Sequence, residues 1–217
     1  MLKNTILGDP KRILTHVILG AITLAGCWLF INLKPDFSLD RQITLGTGYV
    51  ALLFLVFTLI YGPWRLMSQS KNPVNFYLRR DVGIWTAITG LLHVFYGFKL
   101  HMGGQILAYF FAFRDGVAVP LINSFGMANW TGLLATLVLI LLLLLSNDLS
   151  LRMLKGKLWK FLQNFNYGLI VLVIVHTLVF QVIVKRETWL TWTVLGLAAL
   201  VLGMQLIGIS IYRSRQR

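Results

Sequence analysis

The chain has 217 residues, of which 57% are hydrophobic and 12% charged, with a mean hydropathy of +0.75; an average soluble domain carries about 25% charged residues. These proportions exclude a soluble domain and predict an all-α integral membrane protein. The formal charge of +13 sits in short clusters between apolar runs, so positive-inside topology accounts for it and no nucleic-acid partner is expected. The single cysteine, Cys27, excludes an intramolecular disulfide and a cysteine-only metal cluster.

Lys3, Lys11 and Arg12 precede a first apolar run from Ile13 to about Asn32, long enough for a hydrocarbon core that takes about 20 residues. Leu24-Ala25-Gly26-Cys27 has the form of a bacterial lipoprotein cleavage box. Trp28-Leu29-Phe30-Ile31 nevertheless continue the apolar run where a mature sequence would turn polar, and the segment reads as a retained helix. A second span is expected from about Leu45 to Tyr61, stopped by Gly62-Pro63. After Arg65, Lys71, Arg79 and Arg80 comes a third, from Asp81 to Met102, with His93 near its middle. The connection from His101 to Trp130 is too long for a turn. It is rich in aromatics (Tyr109, Phe110, Phe111, Phe113), is interrupted by Arg114, Asp115 and Pro120, and reads as an interfacial or re-entrant cap.

A fourth span runs from about Thr131 to Ser146 and is followed by Arg152, Lys155, Lys157 and Lys160. The fifth, Gln163 to Val184, carries His176; the sixth runs from Trp189 to Tyr212, with Arg213, Arg215 and Arg217 beyond it. No internal repeat of about 40 residues is visible, and residues 1–217 read as a single transmembrane domain. Of the 20 Lys and Arg residues, fourteen fall in the N-terminus, the second and fourth loops and the C-terminus, and six in the other three loops. That alternation predicts a six-transmembrane-helix bundle in membrane lipid, with both termini cytoplasmic, in a bacterial inner membrane.

An imidazole deep in hydrocarbon is costly enough to count as a functional residue with a partner to be named. With this topology helices 3 and 5 run parallel. His93 lies 12 residues past Asp81 and His176 13 past Gln163, so the two reach nearly equal depth. Matched depth suits two axial ligands of one haem iron, a bis-histidine arrangement that favours electron transfer; hydrogen-bonded structural histidines or a proton path are the alternatives. Gly90 and Gly97, three before and four after His93, share its helix face and either admit a flat ligand or serve helix packing.

Several motifs carry a family likeness. They are Arg79-Arg80, Gly83-Ile84-Trp85 and Leu92-His93, then Lys155-Gly156-Lys157-Leu158-Trp159, Leu162-Gln163-Asn164-Phe165-Asn166-Tyr167 and Val175-His176. In order and spacing, over residues 45–185, they resemble the ferric reductase-like transmembrane domain. Within that family the chain is most similar to the short bacterial form, the haem-binding membrane subunit of the periplasmic methionine sulfoxide reductase system. The resemblance implies that His93 and His176 ligate a b-type haem nearer the outer face. Two-haem members hold a second histidine pair towards the cytoplasm. Here those positions are Arg79 and Gln163, the latter a histidine in the methionine sulfoxide reductase subunit, so one haem is expected.

His101, eight residues beyond His93 and about 12 Å further out, reads as an interfacial residue or a donor to a haem propionate, with Val184 at the matching depth on helix 5. His16, one turn into helix 1, reads as interfacial, or else as a ligand of an inner haem or a contact for a flavin or quinone.

The function expected is a membrane cytochrome passing electrons from a cytoplasmic or quinol donor to an outer-face acceptor protein or metal. Full ferric reductases of the family append a flavin and nicotinamide domain after the sixth helix. This sequence shows neither that segment nor a Gly-x-Gly-x-x-Gly fingerprint. A separate flavin reductase or a quinol is therefore the expected donor, with FMN or a quinone as the additional cofactor. The competing reading is a haem-free scaffold or permease. A permease is disfavoured by spans without carboxylates or paired Gly/Pro-broken half-helices, a scaffold by the depth-matched histidines.

Overall fold

The computed structural model describes residues 9–68 and 76–215; Lys3, Lys71 and Arg217, which enter the charge count, lie outside them. The long helices are α1 (Pro10–Leu33), α2 (Leu39–Met67), α3 (Phe76–Leu100) and α4 (Ser124–Leu144). The shorter α5 (Asp148–Met153) and α6 (Lys155–Gln163) lead into α7 (Phe165–Leu178) and α8 (Thr191–Ser214). Five segments are long and apolar enough to cross a membrane: α1, α2, α4, the run Lys155–Ile183 through α6 and α7, and Thr188–Ser214. α3, at 25 residues, has the length, but Arg79, Arg80, Asp81 and Lys99 lower its hydropathy. The structure thus supports an all-α membrane protein with five such spans among the described residues. The chain divides into two compact units, Met1–His93 with Gly203–Arg217 and Val94–Leu202.

In the first unit α1 packs on α2. Contact is close because glycines meet backbone: a Cβ on Gly46 would lie 2.7 Å from the Cα of Cys27. The apolar core gathers Leu19, Val50, Phe54 and Val82, with Phe57, Leu78 and Trp85 packed against it.

Contrary to the stop expected at Gly62-Pro63, α2 continues through Pro63 to Met67. Proline has no N–H to give the carbonyl four residues earlier, which is why it usually ends a helix. Here that carbonyl, of Leu59, accepts from the side-chain amide of Gln205 on α8 at 2.7 Å. Gly208, one turn further along α8, makes the approach feasible, since a Cβ there would lie 3.0 Å from that of Pro63. A proline inside a membrane helix is tolerated when a neighbouring helix supplies the missing donor in this way.

Asp81 lies near the start of α3 and is 1% exposed. Arg12 of α1 neutralises it with two hydrogen bonds, Nε to Oδ2 at 3.0 Å and Nη2 to Oδ1 at 2.5 Å.

In the second unit α4 packs on α7, and the long connection expected as an interfacial cap is built from short elements. Two 3-10 turns, Met102–Gly104 and Ile106–Tyr109, lead into an antiparallel hairpin of β1 (Phe111–Arg114) and β2 (Val117–Pro120). Asp115 and Gly116 form its turn with φ of 50° and 78°, the left-handed pair that two-residue hairpins need. The hairpin is tied to α4: Leu121 N–H donates to Phe110 O, Trp130 Nε1 to Leu121 O and Asn129 Nδ2 to Tyr109 O. α4 consequently begins at Ser124, seven residues before the expected Thr131, with Asn123 capping Gly126 N–H. After α7 the chain widens into a π turn, Val179–Ile183, before α8.

Replacing Gln205 by Leu should destabilise the detergent-solubilised protein by about 1–3 kcal/mol, the cost of an unsatisfied buried acceptor. In a Pro63→Ala background most of that cost should vanish, because the substituted alanine supplies its own backbone N–H to Leu59 O. Chemical unfolding of the four variants measures this; additive effects would refute it.

Candidate functional site: two histidine sockets

His93 projects from α3 onto α2, where its Nδ1 lies 2.9 Å from the carbonyl oxygen of Thr44. The ring comes this close because the residue one turn along α2 is Gly48; a Cβ there would stand 2.6 Å from Nδ1 and 3.0 Å from Cε1. A helical carbonyl already bonded within its helix keeps a second lone pair, so Thr44 O can accept from the imidazole too.

The second unit contains the same arrangement. His176 of α7 sets Nδ1 2.8 Å from the carbonyl oxygen of Ala128 on α4, and one turn later Gly132 opens the slot, with a Cβ placed there 2.7 Å from both Nδ1 and Cε1. Histidine and carbonyl are separated by 49 residues in one socket and 48 in the other. No sequence repeat announced this recurrence.

The chemical consequence is the same in both sockets. A carbonyl only accepts, so Nδ1 carries the proton and Nε2 keeps the ring's lone pair. This is the usual state of an imidazole that ligates a metal through Nε2, its orientation held by the other nitrogen. His176 is further fixed by the edge of Phe180, at 5.1 Å between ring centres and 75° between planes; Phe180 lies in the π turn, a local widening often found at functional sites.

The other site residues fall as follows. His16 sits beside the buried ion pair: Trp85 Nε1–H donates to its Nδ1 at 2.9 Å, and its Nε2 lies 3.6 Å from Asp81 Oδ1. Its side chain is 19% exposed. His101 does not stand alone either, since Arg186 Nη1 approaches its Nε2 to 2.5 Å. The Tyr109 hydroxyl accepts from His101 N–H at 2.8 Å and lies within reach of the carbonyls of Gly97, Phe98 and His101, to one of which it gives its proton. It thereby caps the open end of α3. Burial raises the Tyr109 pKa above its ordinary value, against opposing effects of that backbone bond and of Arg186. Gly90 and Gly97 lie on α3 with His93, and Gly48 and Gly132 face the two imidazole rings. Sequence reading missed both, along with Arg186. Only the spacing of Gly48 and Gly132, four residues after the accepting carbonyl, could have signalled them.

Apolar helices carrying two carbonyl-anchored imidazoles define a multi-spanning membrane protein with paired histidine sockets. Among known sequences, a protein of Salmonella arizonae (strain ATCC BAA-731 / CDC346-86 / RSK2980) is 33% identical over 155 residues, 70% of this chain and 71% of its own. One of Enterobacter sp. (strain 638) is 30% identical over 154 residues, 70% and 71%, and one of Klebsiella pneumoniae subsp. pneumoniae is 29% identical over 170 residues, 77% of each. All three bear the name protein-methionine-sulfoxide reductase heme-binding subunit MsrQ. The chain belongs to the MsrQ family. No protein-family model and no solved structure matches it.

In histidine-labelled protein prepared free of haem, nitrogen-15 spectra should show His93 and His176 as Nδ1–H tautomers. Gly48→Ala should perturb the His93 signal alone and Gly132→Ala the His176 signal alone. A change at both rings from either substitution would contradict two separate sockets.

Proposed function

We propose that this protein is a membrane b-type cytochrome in which His93 and His176 are the axial ligands of a haem. It passes electrons from a cytoplasmic or quinol donor towards an acceptor at the outer face. The observation that carries this reading is the duplicated socket. Each imidazole is held through Nδ1–H by a helix carbonyl, which directs the lone pair of Nε2 outward from that anchor, as ligation by imidazole requires. Relatives named as heme-binding subunits of a methionine sulfoxide reductase favour the same cofactor. When bound, the haem would supply one-electron redox chemistry. The chain's own contribution is to orient the ligands, fix their tautomers and exclude water with apolar helices.

The positions matching a second, inner histidine pair are Arg79 and Gln163, so the stoichiometry is one haem per chain. α3 completes a set of six spans, its charged start at the cytoplasmic face, and both termini are cytoplasmic in accordance with the charge asymmetry. The membrane is a bacterial inner membrane. A subunit of this kind works with separate partners, a flavin reductase or quinol supplying electrons and an outer-face protein or metal receiving them. FMN or a quinone is the cofactor through which the donor side would operate.

Absorption spectroscopy of purified protein should give a Soret band with reducible α and β bands, and a pyridine haemochrome assay about one haem per chain. His93→Ala or His176→Ala should abolish the low-spin signal while leaving the protein inserted, because neither ring completes the backbone bonding of its own helix. Absence of a Soret band from haem-saturated protein would overturn the assignment in favour of a haem-free scaffold.

Reporter fusions after Arg217 and within residues 150–158 should both report the cytoplasm. A periplasmic signal at either site would reject the topology.

A further inference from the structure

Beyond the sockets, the second unit holds a cation whose neighbours are rings rather than acids. Arg186 lies between aromatic side chains, its guanidinium carbon 5.7 Å from the centre of Phe125 and 5.9 Å from that of Phe180, and Nη1 contacts His101 Nε2. Among the described residues no carboxylate forms a salt bridge with it.

The backbone turns this residue inward. Lys185 and Glu187, on either side of it, have φ of 58° and 48°, a left-handed region that residues other than glycine seldom occupy and keep only where the surroundings enforce it. Lys185 is exposed, whereas Arg186 is half-buried. Arg186 N–H donates to Phe180 O at 2.9 Å, closing the turn that follows the π segment. Phe180 is thus tied to Arg186 through both backbone and ring, and it packs edge-on against His176 at 5.1 Å between ring centres. A single aromatic ring touches both the cation and the imidazole of the second socket.

We infer that Arg186 sets the reduction potential of the haem held by His176, its fixed positive charge favouring the ferrous state. This rests on the proposed function. When the ferric iron takes up one electron, the positive charge beside His176 falls by one and so does its repulsion by Arg186, which stabilises the reduced state relative to the oxidised one. Apolar surroundings leave such an interaction weakly screened. Phe125 and Phe180 carry no net charge, so they hold the guanidinium without cancelling its field, as a carboxylate partner would. Arginine suits the task because its guanidinium stays charged at every physiological pH and lies readily on ring faces. A purely structural role, in which the cation only packs on the rings of the turn, is the competing account; charge separates the two.

Redox titration of haem-loaded, full-length protein in detergent, followed through the α band at a fixed pH above the ordinary imidazole range and at low ionic strength, tests the inference. Arg186→Gln should disfavour the ferrous state about tenfold, a fall of about 59 mV for a one-electron couple. Arg186→Lys keeps the charge but loses the planar stack, and its potential should stay closer to the wild type than to Arg186→Gln. Lys185→Gln removes the exposed neighbouring charge and should shift the potential far less. Should Arg186→Gln not accumulate, Arg186→Met, neutral and long enough to lie on the same rings, takes its place with the same expectation. All these variants should keep the low-spin spectrum, because no axial ligand is changed. Four outcomes would overturn the inference: an unmoved potential in the neutral variant, a fall in Arg186→Lys as large as in Arg186→Gln, an equal fall in Lys185→Gln, or loss of the low-spin spectrum on neutralisation, which would assign Arg186 to holding the haem. Wild-type protein that takes up no haem would overturn the proposed function itself, whereas a bound haem whose potential ignores Arg186 overturns this inference alone.

Discussion

In a hydrocarbon interior an unsatisfied backbone carbonyl has no water to turn to and costs several kcal/mol, so every such group must find a donor within the protein. Much of this structure follows from meeting that demand with side chains. The Leu59 carbonyl, orphaned by Pro63, takes the amide of Gln205. The open end of α3 takes the Tyr109 hydroxyl, and Leu145 O, where α4 ends, takes Trp159 Nε1–H. The histidine sockets use the same bond in a different spirit. Thr44 O and Ala128 O, which the Thr47 and Thr131 hydroxyls also reach, each hold a ring in addition to their helical partners.

Close approach is the second requirement, and glycine meets it where a helix must receive an imidazole or another backbone. Gly48 and Gly132 each stand one turn beyond the accepting carbonyl, on the same helix face, so the space and the acceptor come from a single stripe of α2 or α4. Any larger residue would fill the volume that the ring occupies. Small residues at membrane helix contacts are often ascribed to packing alone; here they also let each imidazole reach the carbonyl that fixes its tautomer.

Among the described residues the buried charged side chains are Arg12 and Asp81. Asp81 and Arg12 neutralise each other within the first unit, and His16 and Trp85 extend that cluster by a directed hydrogen bond. Removing either member of such a pair would leave an uncompensated buried charge, costing about 3–5 kcal/mol. Arg186 is stabilised differently, by ring faces and an imidazole.

The sequence by itself determined the class of the protein, since long apolar runs with clustered basic flanks allow little else, and it singled out His93 and His176 because imidazoles are rare and costly in such runs. Family likeness was legible too, carried by motifs whose order survives at modest identity. What the sequence could not contain were the partners of those histidines. In a helix apolar on every side, periodicity marks no inward face, so Gly48 and Gly132 looked like any other glycine, and Pro63 read as a stop because its rescuer, Gln205, acts across 146 residues. Which carbonyl meets which donor depends on how each helix is rotated about its axis against its neighbour. Only the tertiary structure decides that rotation, through the packing of side chains that are chemically alike and differ mainly in size.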